Sequence, residues 1–158
     1  MRLERLTAWH QDAILEFEIA NRDYFRAMIP DRGDAFFADY PAHHAELLAF
    51  QAAGTDRPHV LVTEDGAIAG RVNLIRIADG EAELGYRIGQ EFAGRGLATE
   101  AVRQVCELAG AEYGLTRLRA RATDDNAASI AVLLRNGFVV TGETTLNGRP
   151  GHHYRRDL

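Results

Sequence analysis

The sequence predicts an α/β (α+β) fold built on a mixed, mostly antiparallel sheet. Three dipeptides, Asp65-Gly66, Asp79-Gly80 and Asn147-Gly148, separate strand-like runs and favour the tight turns of antiparallel hairpins. A long amphipathic run over residues 97–113 lies between two further strand-like runs, which is typical of a helical crossover between parallel strands. The 158 residues, 46% apolar and 26% charged, predict one compact domain over residues 1–158.

Two helices and then three antiparallel strands are predicted in the first half of the chain. Apolar side chains recur at helical spacing over residues 8–29, with a break indicated within residues 21–23 and an end at Pro30. Residues 30–34 read as a loop, and residues 42–53 form the second helix. Strand-like runs follow at residues 59–64, 67–75 and 81–88. Three strands are therefore expected before the glycine-rich segment that begins near residue 89.

A helix, a strand, a short helix and a hairpin are predicted in the second half. The amphipathic helix over residues 97–113 ends at Gly114, and a strand over residues 115–123 is expected to run parallel to residues 81–88. Asn126 is a favoured residue for a helix N-terminus and Gly137 for a left-handed C-terminal cap. A hairpin of residues 139–146 and 152–158 completes the sequence of elements.

Composition and charge exclude several classes of function. The net charge of −5 lacks the basic footprint of a nucleic-acid-binding domain and favours approach by a cationic amine. No apolar run reaches the length of a membrane span, so a cytoplasmic location without membrane contact is expected. Cys106 is the only cysteine, which excludes an intrachain disulfide. The pairs His43-His44 and His152-His153 lack the spacing of a helical metal site, so no metal is inferred.

The segment Gly85–Val102 carries the strongest functional signal. It runs from a strand through Gly94 and Gly96 directly into a helix. Glycines let the backbone approach an anion, and a helix N-terminus presents unpaired amides with a positive dipole end. This arrangement predicts a binding site for a ligand that carries a pyrophosphate.

Other phosphate loops fit this segment less well. A nucleoside triphosphate loop requires Lys and then Ser or Thr where Arg95 and Gly96 stand. A dinucleotide fingerprint requires Gly or Ala in place of Thr99, and a helix occupies the region in which its acidic residue would follow. A plain glycine turn between a strand and a helix stays open on this segment alone.

A second motif, Asn126-Ala-Ala-Ser129 followed by Gly137-Phe138, decides between these alternatives. Together with the loop Ala93-Gly-Arg-Gly-Leu-Ala98 it resembles the motifs of the GNAT superfamily of acyl-CoA-dependent N-acetyltransferases. Tyr86, Thr99 and Glu100 resemble its RimJ/RimL-like branch, which acetylates N-terminal amines of ribosomal proteins. The resemblance covers roughly residues 83–138.

The resemblance implies a sheet of about seven strands flanked by about four helices and splayed between the fourth and fifth strands, where the cofactor enters. It implies transfer of an acetyl group from acetyl-CoA to a primary amine by direct attack in a ternary complex, with no metal. The acceptor stays open between a protein N-terminus, as in ribosomal-protein alanine acetylation, and a small-molecule amine. The residues implied to bind the cofactor are Tyr86, Ile88, Ala93, Gly94, Arg95, Gly96, Leu97, Ala98, Thr99, Asn126 and Ser129.

Two residues are implied to be catalytic. Ser129 takes the role of proton donor to the departing thiolate, since Leu133 stands where many members carry a tyrosine. Glu83 is expected to accept the ammonium proton through water, with Glu81 as a weaker candidate. On the residues alone, Ser129 also fits a helix cap and Glu83 a solvated strand carboxylate.

One further departure leaves a second class of function open. Ala93 stands where the family commonly carries a basic residue or Gln, so a side-chain contact to phosphate is missing, for which Arg95 could compensate. The alternative function is a non-catalytic acyl-CoA-binding or sensing module. The sequence also leaves a homodimer open.

Overall fold

A single seven-stranded sheet runs through the computed structural model, which describes residues 1–158. The strands are β1 (Arg2–Arg5), β2 (Arg57–Val62), β3 (Ile68–Ala78), β4 (Glu81–Ile88), β5 (Arg117–Thr123), β6 (Val139–Leu146) and β7 (Arg149–Asp157). The helices are α1 (Gln11–Ala20), α2 (Arg22–Arg26), α3 (Asp34–Ala38), α4 (Tyr40–Ala53), α5 (Leu97–Ala111) and α6 (Ala127–Arg135). Two short 3-10 turns lie at Ala8–His10 and Gln90–Phe92.

The order of the strands in the sheet is β1-β2-β3-β4-β5-β7-β6, and all neighbours are antiparallel except β4 and β5. The predicted mixed, mostly antiparallel sheet of about seven strands is therefore confirmed, as is the parallel crossover through α5. None of the helices combines the length and apolarity needed to cross a bilayer.

The prediction of three strands before the glycine loop was wrong, because β1 is a fourth. Its four residues, Arg2–Arg5, pair with His59–Val62 of β2. A strand of this length at the edge of a sheet carries too few residues for a period of two to be read, and three of the four are charged.

The chain also forms six helices instead of about four. The predicted helix over residues 8–29 breaks at Asn21, within the predicted break. The Asn21 side chain forms hydrogen bonds both to α1 and to the turn at Gln90. Its Nδ2 donates to the Phe17 carbonyl at 2.9 Å, and its Oδ1 accepts from the Gln90 amide at 2.9 Å. The short helix α3 begins at the end of the predicted loop 30–34, and α4 begins at Tyr40 because Pro41 is tolerated in a first turn.

Apolar side chains form a core on each face of the sheet. The face under α5 and α6 includes Leu61, Leu84, Leu118 and Leu133, whereas the face under α1 and α4 includes Val60 and Val62. Adjacent residues of β2 thus enter opposite cores, as the strand period of two requires. β4 follows the same alternation: Tyr86 and Ile88 pack on the α5 side.

The sheet opens between β4 and β5, as predicted. The two strands pair over only three positions, from Glu81 with Arg117 to Glu83 with Arg119. β4 continues to Ile88 beside β3, while β5 continues to Thr123 beside β7. One edge of β4 beyond Glu83 therefore has no neighbouring strand, and its backbone groups are available to a ligand.

Candidate active site

A cavity of about 480 Å³ lies at this opening and is lined by side chains from both faces of the sheet. From the α5 side it is lined by Tyr86, Ile88, the glycine loop and α6. From the α1 side it is lined by Arg87 and by all residues of the segment Tyr24–Ile29 except Arg26, at and after the end of α2. The cavity is mostly apolar with few polar groups, which is typical of a small-molecule site. Its only charged lining residues are Arg87 and Arg135.

The glycine loop forms the wall at the start of α5. Gly94 and Gly96 both have left-handed backbone conformations, with φ of +75° and +74°, which explains why glycine stands at these positions. The first intrahelical bond of α5 is donated by the Glu100 amide to the Gly96 carbonyl at 3.1 Å. The amides of residues 97–99 therefore have no intrahelical partner and point out of the helix N-terminus.

Ser129 and Tyr86 meet across the cavity. The Asn126 side chain caps α6 by accepting a hydrogen bond from the Ser129 amide at 3.1 Å. The Ser129 and Tyr86 hydroxyls form a hydrogen bond of 2.8 Å, in which either can be the donor. The Ser129 carbonyl, 3.1 Å from the Tyr86 hydroxyl, is the alternative acceptor for the Tyr86 proton. Burial raises the pKa of Tyr86 to about 12, partly offset by the bond to Ser129, so the phenol stays protonated at neutral pH.

The end of α6 is anchored against α5 by Asn136, Gly137 and Phe138. Asn136 is buried, and its Nδ2 donates to the carbonyls of Thr99 at 3.2 Å and Val132 at 2.9 Å. Gly137 is left-handed, and the Phe138 amide donates to the Leu133 carbonyl at 3.0 Å, which closes the helix end. These bonds fix the distance between the glycine loop and the helix that carries Ser129.

Glu83 lies where β4 and β5 part, but it does not line the cavity. Its carboxylate is paired with Arg76 and, at 3.0 Å, with Arg121. Burial raises the pKa of Glu83, but the two guanidinium groups lower it by more, so the net pKa lies below its ordinary value. Arg76 reaches Glu83 because β3 bulges there, with a positive φ of 52° at Arg76.

The structure brings most of the predicted site residues together. The predicted cofactor-binding residues that line the cavity are Tyr86, Ile88, Ala93, Gly94, Gly96, Leu97, Ala98, Thr99, Asn126 and Ser129. Arg95 does not line it, and its guanidinium lies 5.7 Å from the centre of the Phe92 ring. Leu133 is buried in the core and has no group that could donate a proton. The roles assigned to these residues stay predictions. The side chains form no group of three or more His, Cys, Asp or Glu that could hold a metal ion.

Sequence reasoning missed the wall on the α1 side. Tyr24 and Met28 belong to the apolar pattern over residues 8–29, which predicts a buried helix face, yet both are exposed, and no sequence signal marks Arg87. Arg149 was also missed; it donates to the Met28 carbonyl at 3.0 Å and pairs with Asp125, so it ties this wall to the start of α6. No local pattern signals these contacts, because they join residues far apart in the chain.

Comparison with known proteins agrees with this geometry. A family model described as an acetyltransferase (GNAT) domain matches residues 1–139. YdaF of Bacillus subtilis (strain 168), whose name assigns it provisionally to the ribosomal N-acetyltransferases, is 36% identical over 125 residues. That alignment covers 75% of this chain and 64% of YdaF, so the chain spans slightly less than two thirds of this relative's length.

Two solved structures share the fold over nearly the whole chain. The ribosomal-protein-S5-alanine acetyltransferase of Vibrio fischeri has a TM-score of 0.92 at 22% identity, covering 98% of this chain and 91% of that one. RimJ of Mycobacterium smegmatis, in complex with a CoA disulfide, has a TM-score of 0.87 at 21% identity, covering 98% and 80%. With the fold, the open sheet and the family match over residues 1–139 in agreement, this chain belongs to the family of GNAT acetyltransferase domains.

Proposed function

We propose that this protein is an N-acetyltransferase that moves an acetyl group from acetyl-CoA to a primary amine by direct attack in a ternary complex. The observation that carries the proposal is the position of the Tyr86 and Ser129 hydroxyls in a cavity that also reaches the free amides of α5. The relatives named above support an acceptor that is the N-terminal amine of a protein, and a small-molecule amine is the other candidate. The expected cytoplasmic location stays a prediction.

The residues present fit the diphosphate and the pantetheine arm of CoA. The amides of residues 97–99 and the helix dipole of α5 would hold the pyrophosphate, and a Cβ built at Gly94 or Gly96 meets no atom within 4 Å, so the backbone there is open to a ligand. Asn126 and the apolar wall would contact the arm. Ala93 supplies no positive charge to the phosphates. Arg135, which lines the cavity, and Arg95 of the glycine loop are the side chains that could supply it on the α5 face.

Acetyl-CoA supplies an acyl thioester, which an amine can attack without a metal. The unpaired edge of β4 over residues 84–87 would hold the carbonyl oxygen through a backbone amide, where negative charge develops in the transition state. A Cβ built at Gly85 meets no atom within 4 Å, so the α1 face of β4 leaves room beside this edge for the amine.

Two proton transfers are assigned to side chains. The Tyr86 hydroxyl has one proton. When it donates that proton to Ser129 Oγ and not to the Ser129 carbonyl, the Ser129 hydroxyl is free to donate into the cavity, where it would protonate the thiolate. Glu83 would accept the ammonium proton through water, because no carboxylate lines the cavity itself. The pairing with Arg76 and Arg121 keeps Glu83 ionised at neutral pH.

Calorimetry and a turnover assay test the proposal together. Acetyl-CoA is expected to bind, whereas ATP with magnesium and NAD are not, because the loop lacks the residues that those ligands require. Release of free thiol from acetyl-CoA is then measured with a panel of peptides and small amines. Amine-dependent thiol release supports the enzyme. Binding of acetyl-CoA with no release for any amine would instead indicate a non-catalytic acyl-CoA-binding module.

A further inference from the structure

A buried cluster of charge borders the cavity on the α1 side of β4. Arg71 of β3 and Arg87 of β4 lie directly opposite each other in the antiparallel register. Glu18 of α1 lies between them: its Oε1 accepts from Arg71 at 2.8 Å and its Oε2 from Arg87 at 3.2 Å. Arg32 approaches the same carboxylate at 3.5 Å. The side chains of Glu18 and Arg71 are only 1% and 3% exposed.

One carboxylate therefore faces three guanidinium groups, which leaves two positive charges unbalanced. The neighbouring arginines do not share Glu18, since Arg22 is paired with Asp31 and Asp34, and Arg26 with Asp23. Like charges opposite each other on adjacent strands are destabilising, and buried charge is costly when it lacks a counter-charge. The Nε of Arg71 is also buried without any hydrogen-bond partner.

Arg87 connects this cluster to the cavity. Its side chain is 20% exposed, lines the 480 Å³ cavity and lies over the Phe25 ring at 4.7 Å. The charged groups that face it are Glu18, Arg32 and Arg71. Burial, followed by repulsion from Arg32, lowers the pKa of Arg87 to about 10, which is the direction expected where positive charge is in excess.

The cavity reaches both faces of the sheet, so that one ligand can lie on each face. The free amides of α5 and the Tyr86–Ser129 pair lie on the α5 face, so the proposed function places acetyl-CoA there. Arg87 and the segment Tyr24–Ile29 lie on the opposite face, which is left for the acceptor. No acidic side chain lines this wall, so a second ammonium group on the acceptor would find no carboxylate with which to pair.

We propose, resting on the proposed function, that the acceptor is a primary amine that also carries an oxyanion, which Arg87 binds while Glu18, Arg32 and Arg71 position its guanidinium. A guanidinium binds a carboxylate or phosphate through two parallel hydrogen bonds, which gives both affinity and orientation. The oxyanion balances the charge of the cluster and holds the amine beside the open edge of β4. Polyamines are excluded as preferred acceptors because they add positive charge to this wall.

The test compares acceptors that differ only in the oxyanion. The pairs are the peptide amides Ala-Glu-Ala and Ala-Gln-Ala, free alanine and alaninamide, and phosphoethanolamine and ethanolamine, with spermidine as the cationic acceptor. Rates of acetyl transfer are measured at saturating acetyl-CoA, and kcat/KM is calculated for the concentration of unprotonated amine in each case. The oxyanion member of at least one pair is expected to have a kcat/KM at least about tenfold higher, the effect of one charge-assisted hydrogen-bonded pair. The pair that responds tells a peptide, an amino acid and a phosphate apart.

Variants then locate the preference. Arg87→Gln is expected to reduce the preference for the oxyanion acceptor to within about threefold, and Arg87→Lys to restore part of this preference. Arg103→Gln removes an arginine of α5 that is half exposed and paired with Glu100 and Glu107, and should change nothing. If the Arg87 variant does not fold, Arg32→Gln carries the test, because it removes one of the two excess positive charges beside Arg87 and should weaken the same preference.

Two results with the wild type overturn the inference: equal rates for the oxyanion and neutral acceptors, or a higher rate for spermidine. Two results with Arg87→Gln also overturn it: an unchanged preference for the oxyanion acceptor, or a loss of acetyl-CoA affinity as large as the loss of that preference. The last result would assign the cluster to the cofactor. If acetyl-CoA binds but no amine reacts, the proposed function fails by itself. Calorimetry of the N-acetylated members of all three pairs with the CoA-bound protein then decides the inference, and equal affinities within every pair would overturn it.

Discussion

The hydroxyl groups of Tyr86 and Ser129 lie 2.8 Å apart, although 43 residues separate them in the chain. Ser129 is the only serine in the sequence, and its hydroxyl bonds Tyr86 and not the preceding turn of its own helix. The helix cap is supplied by Asn126. Capping of α6 therefore does not require the Ser129 hydroxyl, which is available for a role in the cavity.

Ser129→Ala is expected to lower kcat by about 10²- to 10⁴-fold, the usual contribution of a positioned proton donor, while the Kd of acetyl-CoA stays nearly constant. Tyr86→Phe should lower kcat as well, and the double variant should lose less than the product of the single effects, because both hydroxyls act in one relay. Single-turnover rates and calorimetry measure the two quantities.

Tyr113→Phe is the matched control for the loss of a phenol, since the Tyr113 hydroxyl bonds His59 and neither residue lines the cavity. It should leave kcat unchanged. A decrease below about threefold for Ser129→Ala, where chemistry limits the rate, would show that Ser129 is not the proton donor.

Gly96→Glu is expected to weaken acetyl-CoA binding by at least about 100-fold, because it places bulk and negative charge where the amides of residues 97–99 meet a diphosphate. Gly54→Glu is the control: Gly54 has a similar left-handed φ of +77°, open space around its Cβ position, and a place at the end of α4 outside the cavity. The two variants carry similar backbone strain and the same charge. Equal affinities in calorimetry would mean that the phosphates bind elsewhere.

Glu83→Gln is expected to lower kcat/KM most near neutral pH and to recover in part as the pH approaches the pKa of the free amine, since only an unprotonated amine attacks. Because the pKa of Glu83 lies below its ordinary value, the wild type should keep this base ionised down to mildly acidic pH. A pH–rate profile measures both effects. Glu81→Gln is the control. A larger decrease in kcat/KM for Glu81→Gln, or an unchanged pH–rate profile for Glu83→Gln, would show that Glu83 is only an ion-pair partner of Arg76 and Arg121 and not the base.

His59 should make stability depend on pH. It is buried and neutral: the Tyr113 hydroxyl donates to Nε2 at 2.7 Å, and Nδ1 donates to the Val72 carbonyl at 3.2 Å. Burial lowers the pKa of His59 from 6.5 to about 4, so between these values the unfolded state binds more protons. The free energy of unfolding should therefore fall as the pH drops from 6.5 towards 4, by on the order of 3 kcal/mol.

Urea unfolding at a series of pH values measures this dependence, and His59→Gln should be less sensitive to pH over the same range. A His59→Gln curve with the same slope as the wild type would place the proton uptake on another group. His43, which is only partly buried, provides the control variant His43→Gln, whose slope should stay closer to that of the wild type.

The local signals of the site could be read from the sequence because a few neighbouring residues produce them. Gly94 and Gly96 are needed where φ is positive, Asn126 caps the helix three residues before its partner amide, and Gly137 ends that helix. The sheet could be predicted for the same reason, since two Asp-Gly turns and one Asn-Gly turn set the hairpins. β1 could not be predicted because its pairing with β2 joins residues more than 50 positions apart, and no pattern within its four residues indicates a strand.

Only the tertiary structure decided which side chains meet. The opening between β4 and β5 follows from β5 pairing with β7 over its whole length and with β4 over three positions, which no local pattern encodes. Glu18 meets Arg71 and Arg87 over separations of 53 and 69 residues, and Arg121 reaches Glu83 over 38. A residue type and its spacing specify backbone geometry within a turn or a cap, but the charge that surrounds a carboxylate or a guanidinium depends on packing between distant elements.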